Sequence, residues 1–185
     1  MAIDATEVRV AGAGNVYVAP AGTTLPTTSS AALSAAWIDL GYCTEDGVTF
    51  TQGRETTDLN AWQGTKIRVL TDAEPTSVAF TLMQSNADVL EVAFGGGTLT
   101  EVSAGEFSFE PPALGDNAVR AVVIEFVDGD ITYRYCLPRV QIQGEVQVQL
   151  QRSGAVTYPL EFGVLDNDPK YLILSNDPAM DPAAS

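Results

Sequence analysis

An antiparallel β domain, sandwich or barrel, with one short flanking α-helix is the fold class this sequence predicts, and three features predict it. From Gln141 to Gln151 the odd positions are all Gln or Glu, and the even ones are Ile, Gly, Val, Val and Leu. That period of two belongs to a pleated strand with one buried and one wet face. Asp128-Gly129 sits between two apolar runs and suits a tight hairpin turn. Only one segment of the chain carries helix-capping signals instead.

In chain order, residues 1–15 read as an N-terminal arm and 16–165 as the β domain, with a first strand at 15–19. Residues 20–36, rich in Pro, Thr, Ser and Ala, read as a surface loop. Strands are expected at 37–42 and 48–52, with Glu45-Asp46-Gly47 as a turn between them. Residues 53–64 follow as a loop too long for a hairpin turn, and such loops are usually functional or mobile. Further strands are expected at 66–70 and at 77–83, where Val78, Phe80 and Leu82 share a face. The helix is expected at 86–94. Ser85 opens a Ser-x-x-Asp capping pattern, Asp88 and Glu91 favour the positive helix end, and Gly95 can take the left-handed stop. Val89, Leu90 and Phe94 would pack on a sheet, and Gly95-Gly96-Gly97 would be a hinge. Strands at 106–109, 119–127, 131–136 and 141–151 come next, then 158–164, where Pro159 implies an edge or a bulge. From residue 166 to 185 a C-terminal arm carries Asp-Pro steps around one apolar island, Tyr171-Leu172-Ile173-Leu174.

Composition narrows the function. The chain has 185 residues, which suits one domain, and 45% hydrophobic residues, enough to fill a core. With 24 acidic and 9 basic residues the net charge is −15, which argues against a surface built to grip nucleic acid, because phosphate binding needs clustered Lys and Arg. The absence of histidine removes His-based nucleophile systems and His-ligated metal sites. Cys43 and Cys136 show neither a CxxC nor a metal-ligand spacing and read as two reduced thiols. No stretch approaches the ~18–20 apolar residues of a membrane span, and the N-terminus lacks a signal pattern. The expectation is a protein made in a cytoplasm, soluble, with no membrane insertion.

Motifs for chemistry fail one at a time. Gly12-Ala13-Gly14 begins like a dinucleotide fingerprint, but the third glycine would fall at Tyr17. Asp166-Asn167-Asp168 begins like a calcium loop, yet Tyr171 and Asp177 stand where Gly and Glu belong. Carboxylate pairs at Glu45-Asp46 and Asp128/Asp130 have turn explanations. No catalytic residue, cofactor or metal is expected. Arg54, Leu59 and Trp62 in the 53–64 loop are instead of the types that dominate binding hot spots, unless Trp62 folds back over its own domain. The 171–174 island must dock on its own sheet or on a neighbour.

The run Trp37-Ile38-Asp39-Leu40-Gly41-Tyr42, then Thr44-Glu45-Asp46-Gly47-Val48-Thr49-Phe50, Glu55 to Gln63, and Val78 to Asn86, resembles the major tail tube proteins of long, non-contractile-tailed bacteriophages, especially those of actinobacterial hosts. The resemblance spans roughly residues 37–165. Cys43 departs from it, standing where a small or aliphatic residue is usual. The resemblance implies a structural virion protein and no enzyme. Its subunits would form six-membered rings that stack into a hollow tail around passing DNA. Tape measure, tail terminator and distal tail proteins would be its partners. The 53–64 loop, with Arg54, Glu55, Asp58, Leu59 and Trp62, would make contacts between rings. Residues Tyr171 to Leu174 would dock the arm. The polar face Gln141, Gln143, Glu145, Gln147, Gln149 and Gln151, nearly uncharged and free of lysine, would face the lumen or a neighbour. A second reading makes the chain a carbohydrate- or receptor-binding module of a phage particle, with Trp37, Tyr42 and Trp62 stacking on sugars.

Overall fold

Alternating side chains resolve into twelve strands among the described residues, 5–166 and 168–181 of the computed structural model. They are β1 (Ala13–Pro20), β2 (Ile38–Asp39), β3 (Cys43–Gln52), β4 (Glu55–Asn60), β5 (Lys66–Ala73), β6 (Thr76–Leu82), β7 (Thr98–Ser103), β8 (Glu106–Glu110), β9 (Arg120–Asp128), β10 (Ile131–Gln143), β11 (Tyr158–Val164) and β12 (Leu172–Ser175). The one α-helix among the described residues, α1 (Ala87–Ala93), lies between β6 and β7. Residues 1–4 and 182–185 of the expected arms, and Asn167 of the calcium-like run, lie outside the described residues.

Eight strands make one antiparallel sheet in the order β2-β1-β9-β10-β11-β6-β3, with β12 also pairing β10. β10 organises it. Its first half pairs with β12 through Tyr133–Cys136, and its second half pairs with β11 through Val140–Gln143. An irregularity between Leu137 and Val140 separates the two halves. The curled sheet surrounds a core of Val16, Val18, Val78, Phe80, Leu82, Val122, Leu137, Leu160 and Phe162, with Phe80 and Phe162 stacked at 5.9 Å. Burying each such side chain contributes about 1.5–3 kcal/mol. On the other face, Ala19, Trp37, Ala121, Val123 and Cys136 form a second cluster, covered by Leu25 and Leu33 of the 20–36 loop and by Leu174. Arg134 ties that loop down, bonding Glu125 and the carbonyls of Thr28 and Ala31.

α1 forms where the sequence predicts, but its cap is Asn86, whose side chain accepts from the Val89 amide, while Ser85 bonds the Tyr158 hydroxyl. Gly95 and Gly96 amides bond back to Val92 and Glu91, a Schellman stop. Gly95 has φ +75°, and a Cβ there would meet Asn117 Oδ1 at 2.8 Å, so only glycine fits. Val89, Val92 and Ala93 are buried, with Leu90 and Phe94 only packed alongside. The β9–β10 turn at Asp128-Gly129 is present. The β10–β11 ladder covers only Glu161–Val164 of β11, so Pro159 stands where no strand flanks it on that side, as its missing N–H requires.

Several expectations need correction. The 53–64 segment is no loop: Glu55–Asn60 is a strand paired with β5. With neither face buried it has no hydrophobic alternation to betray it. Glu45-Asp46-Gly47 lies inside β3, where the four residues between Cys43 and Val48 oppose the single Thr81 between Leu82 and Phe80, so it is a bulge rather than a turn between strands. Trp37–Tyr42 yields only the short β2. The 141–151 strand stops at Gln143. β1 begins at Ala13, inside the expected N-terminal arm, and β12 lies inside the expected C-terminal arm. Thr98–Ser103, paired with β8, was not expected as a strand at all.

Phe162 is 2% exposed and stacked at the centre of the core. Phe162→Ala should cost about 3–5 kcal/mol of stability, read by chemical denaturation of the subunit.

Candidate functional site

The β4–β5 hairpin leaves the main sheet beyond Gln52, with its base closed by the Gly53 amide to Pro75 carbonyl bond at 2.7 Å. Every residue of both strands is exposed. Thr57 donates to Asp72 Oδ2 at 2.5 Å and Lys66 pairs with Asp58 at 2.7 Å, exposed links between the two strands of an arm that has no core of its own. At the tip, Ala61 and Thr65 are bonded backbone to backbone, and Gly64 at φ +79° turns the chain. Trp62 there is 100% exposed and does not fold back over its own domain. Arg54 sits at the base, 3.1 Å from Glu74. Arg54 and Trp62 are therefore at opposite ends of an arm roughly 25 Å long, with Glu55, Asp58 and Leu59 between them.

The island at 171–174 lies against its own subunit. Tyr171 packs edge-on to Phe50 and donates to Gln52 Oε1, Leu174 joins the second cluster, and Leu172 and Ile173 remain partly exposed on β12. Beyond it, Asp177 fastens both arms together. Its buried carboxylate takes two bonds from Arg9, at 2.6 and 2.7 Å, one from the Tyr133 hydroxyl at 2.6 Å and one from the Ala179 amide at 2.9 Å. Arg9, then Tyr133, hold this carboxyl well below the usual carboxylate range, and the Tyr133 hydroxyl is pushed up in return. No sequence signal marks this clasp, because its three side chains come from three distant segments.

The glutamine-rich run keeps its alternation only in part, with Leu150 exposed, and does not keep its strand. Val146 and Val148 pack against the core, while Glu145, Gln147, Gln149 and Gln151 face solvent. Neighbours two apart bond each other, Gln147 to Glu145 and Gln151 to Gln149, as an extended chain allows. Gln143 is exposed at the end of β10, and Gln141 is half-buried and donates to the Asn117 carbonyl. Beyond Gln143 one bridge, Gln149 to Thr157, holds the segment.

Of the three aromatics of the sugar-binding alternative, Trp37 is buried with its indole N–H on the Thr24 carbonyl, so it cannot stack on a ligand. Tyr42 and Trp62 are exposed on separate elements. The β7–β8 hairpin presents Leu99 and Phe107 beside exposed Val102. Its β-branched Thr98, Thr100 and Val102, followed by Ala104-Gly105, were the signal that could have found it. No group of His, Cys, Asp and Glu among the described residues could hold a metal ion. No helix among them is long and apolar enough to cross a membrane. Burial pushes the Cys136 thiol up to about 11, and Cys43 rises through burial and then Asp39.

Because the folded-state pKa of Asp177 is depressed, the clasp is fully formed above the unfolded carboxylate range near about 4 and is lost only as pH falls through the lower folded value. Asp177→Asn should free the N-terminal arm at neutral pH. Limited trypsin digestion should then cut after Arg9 about tenfold faster or more than in the unaltered chain, as local opening becomes cheaper.

A phage tail tube protein family model matches residues 1–184. No curated protein matches the chain. Among solved structures, a chain from the virion of a native gene transfer agent particle aligns at 11% identity and a TM-score of 0.45, covering 95% of this chain and all of that one. A second, from the tail of an empty gene transfer agent particle computed with helical refinement and C6 symmetry, aligns at 13% identity and a TM-score of 0.45. It covers 90% of this chain and 96% of that one. With a family model spanning nearly every residue of an antiparallel β fold that projects an exposed hairpin, the chain belongs to the phage tail tube protein family.

Proposed function

We propose that this protein is the major tail tube subunit of a phage with a long, non-contractile tail, of the type that infects actinobacteria. Six copies form a ring, rings stack into a hollow tube, and genomic DNA passes through the lumen into the host. The protein is made in the host cytoplasm and resides in the virion tail. Its main partner is itself. At the tube ends it meets the tape measure, tail terminator and distal tail proteins. It carries out no reaction.

The observation that carries this reading is the β4–β5 hairpin. An arm of exposed strands tipped by a fully exposed tryptophan gives nothing to the stability of its own subunit. An indole offers roughly 150–250 Å² of contact area, which at about 25 cal/mol per Å² is worth about 4–6 kcal/mol once a neighbour covers it, before ordering costs. A head-to-tail contact of this kind closes into rings when its rotation closes and grows into a filament when it does not. The hairpin is the contact between rings.

The charge balance supports passage rather than capture of DNA. Arg9, Arg54, Lys66, Arg120, Arg134 and Lys170 already lie in ion pairs, which leaves Arg68, Arg139 and Arg152 as the cations without one among the described residues. A lumen lined by Gln143, Glu145, Gln147, Gln149 and Gln151 releases no counterions from DNA and so does not hold it.

Trp62→Ala should leave stability unchanged within about 0.5 kcal/mol, since the side chain touches nothing in its own subunit. Tubes should fail to form under negative-stain microscopy, and normal tubes from this variant would remove the hairpin from the stacking contact. Placing Lys at 145, 147 and 149 should slow DNA ejection at low salt and restore it as salt rises. An unchanged low-salt ejection rate would put this face outside the lumen.

A further inference from the structure

Two of the main sheet's free strand edges border one groove. In β1, residues 13–15 have β9 on one side and no strand on the other, because β2 pairs only with Tyr17 and Val18 and the Leu40 amide donates to the Val16 carbonyl. β3 has β6 on one side and nothing on the other. Between them is a cavity of about 860 Å³. Val16, Val48, Phe50, Ile124, Phe126 and Tyr135 line it with apolar surface. Asp39 and Glu45 also line it, and neither has a cation partner among the described residues. The Thr44 hydroxyl, in the β3 bulge, is buried there without a hydrogen-bond partner.

Unpaired backbone groups on both walls, an apolar lining and an orphaned hydroxyl together form a site for an extended chain. The anionic lining selects a cationic one. Within this protein the matching element is β5, whose outer edge pairs with nothing and whose run Lys66-Ile67-Arg68-Val69 alternates cations with exposed aliphatic side chains. Arg139 and Arg152, the other cations without a carboxylate, lie in the β10 irregularity and in a loop, where no free strand edge accompanies them. Along its whole length the hairpin stands in solvent in its own subunit, so the occupant comes from another copy.

We propose that the groove between β1 and β3 receives the free β5 edge of a second copy, which adds to the sheet as a strand and sets Arg68 against Asp39 and Glu45. This rests on the hairpin being the contact between subunits, and it names the surface that receives it.

Cys43 lines the groove, and Cys136 is fully buried, so the native thiols are a built-in probe and its blank. Labelling with a small maleimide at about pH 9, chosen because the Cys43 thiol is raised, should modify Cys43 in free subunits. In assembled tubes the same reaction should slow by about tenfold or more, since thiol reactivity follows access. Ile67→Cys, Arg68→Cys and Val69→Cys, each oxidised with diamide in tubes, should give disulfide-linked multimers at alternate positions, and Cys43→Ser should abolish them. Tubes in which Cys43 stays as reactive as in free subunits overturn the proposal. So do tubes in which Cys43 cross-links only to a Phe107→Cys on the β7–β8 hairpin. Neither result touches the role of the hairpin in stacking, which the Trp62→Ala tubes judge separately.

Discussion

An open β-sheet must satisfy two rows of backbone donors and acceptors at its edges, and that requirement shapes the rest of this molecule. The chain meets it inside the subunit where it can. β12 returns from the C-terminal arm to cover the first half of β10, and β11 covers the second half. At β1 and β3 it does not, and there the sheet ends on both sides of one groove. The β4–β5 hairpin adds a further free edge on an arm with no core beneath it. A subunit with strand edges left over is suited to pairing with copies of itself.

Electrostatics follow the same division. Ion pairs that hold the subunit together are partly buried: Arg134 to Glu125, cross-strand neighbours in the β9–β10 hairpin under the 20–36 loop, and Arg9 to Asp177 across the two arms. Such pairs fix register and position at some desolvation cost. Pairs on the hairpin, Lys66 to Asp58 and Arg54 to Glu74, are exposed, and pairs of that kind are worth no more than about 1 kcal/mol each. The arm is thus held mainly by its backbone ladder, free to adapt when a neighbour covers it. The Arg9–Asp177–Tyr133 clasp keeps two segments flanking the domain against one wall, although each reads in sequence as a detached arm.

How much of this was legible in the residues depended on burial. Where one face of a strand meets the core, as in Thr76–Leu82, alternation marked the element within a residue. Arg120–Asp128, buried on both faces from Ala121 to Ile124, was marked by its apolar run beside Asp128-Gly129. Where both faces are wet, as in Glu55–Asn60, no hydrophobic signal exists, and the segment read as a loop. The Gln141–Gln151 run shows the opposite failure. Val146 and Val148 lie inward as the pattern says, but Leu150 is exposed. The ladder ends at Gln143 because Gly144 at φ +73° turns the chain away while β11 continues to Tyr158. Trp37, one of two tryptophans and a natural suspect for a binding surface, is buried beneath a loop whose fold depends on Arg134, far away in sequence.

The sequence by itself determined an antiparallel β domain with a single capped helix and a turn at Asp128-Gly129, since local propensity and period need no distant partner. It also determined an acidic chain without histidine, since composition is independent of fold. Tertiary structure alone decided which strand edges stay open, that Trp62 rather than Trp37 faces outward, and that Asp177 binds Arg9. Each of these depends on which remote segment arrives beside a given backbone or side chain, and no local pattern encodes an arrival.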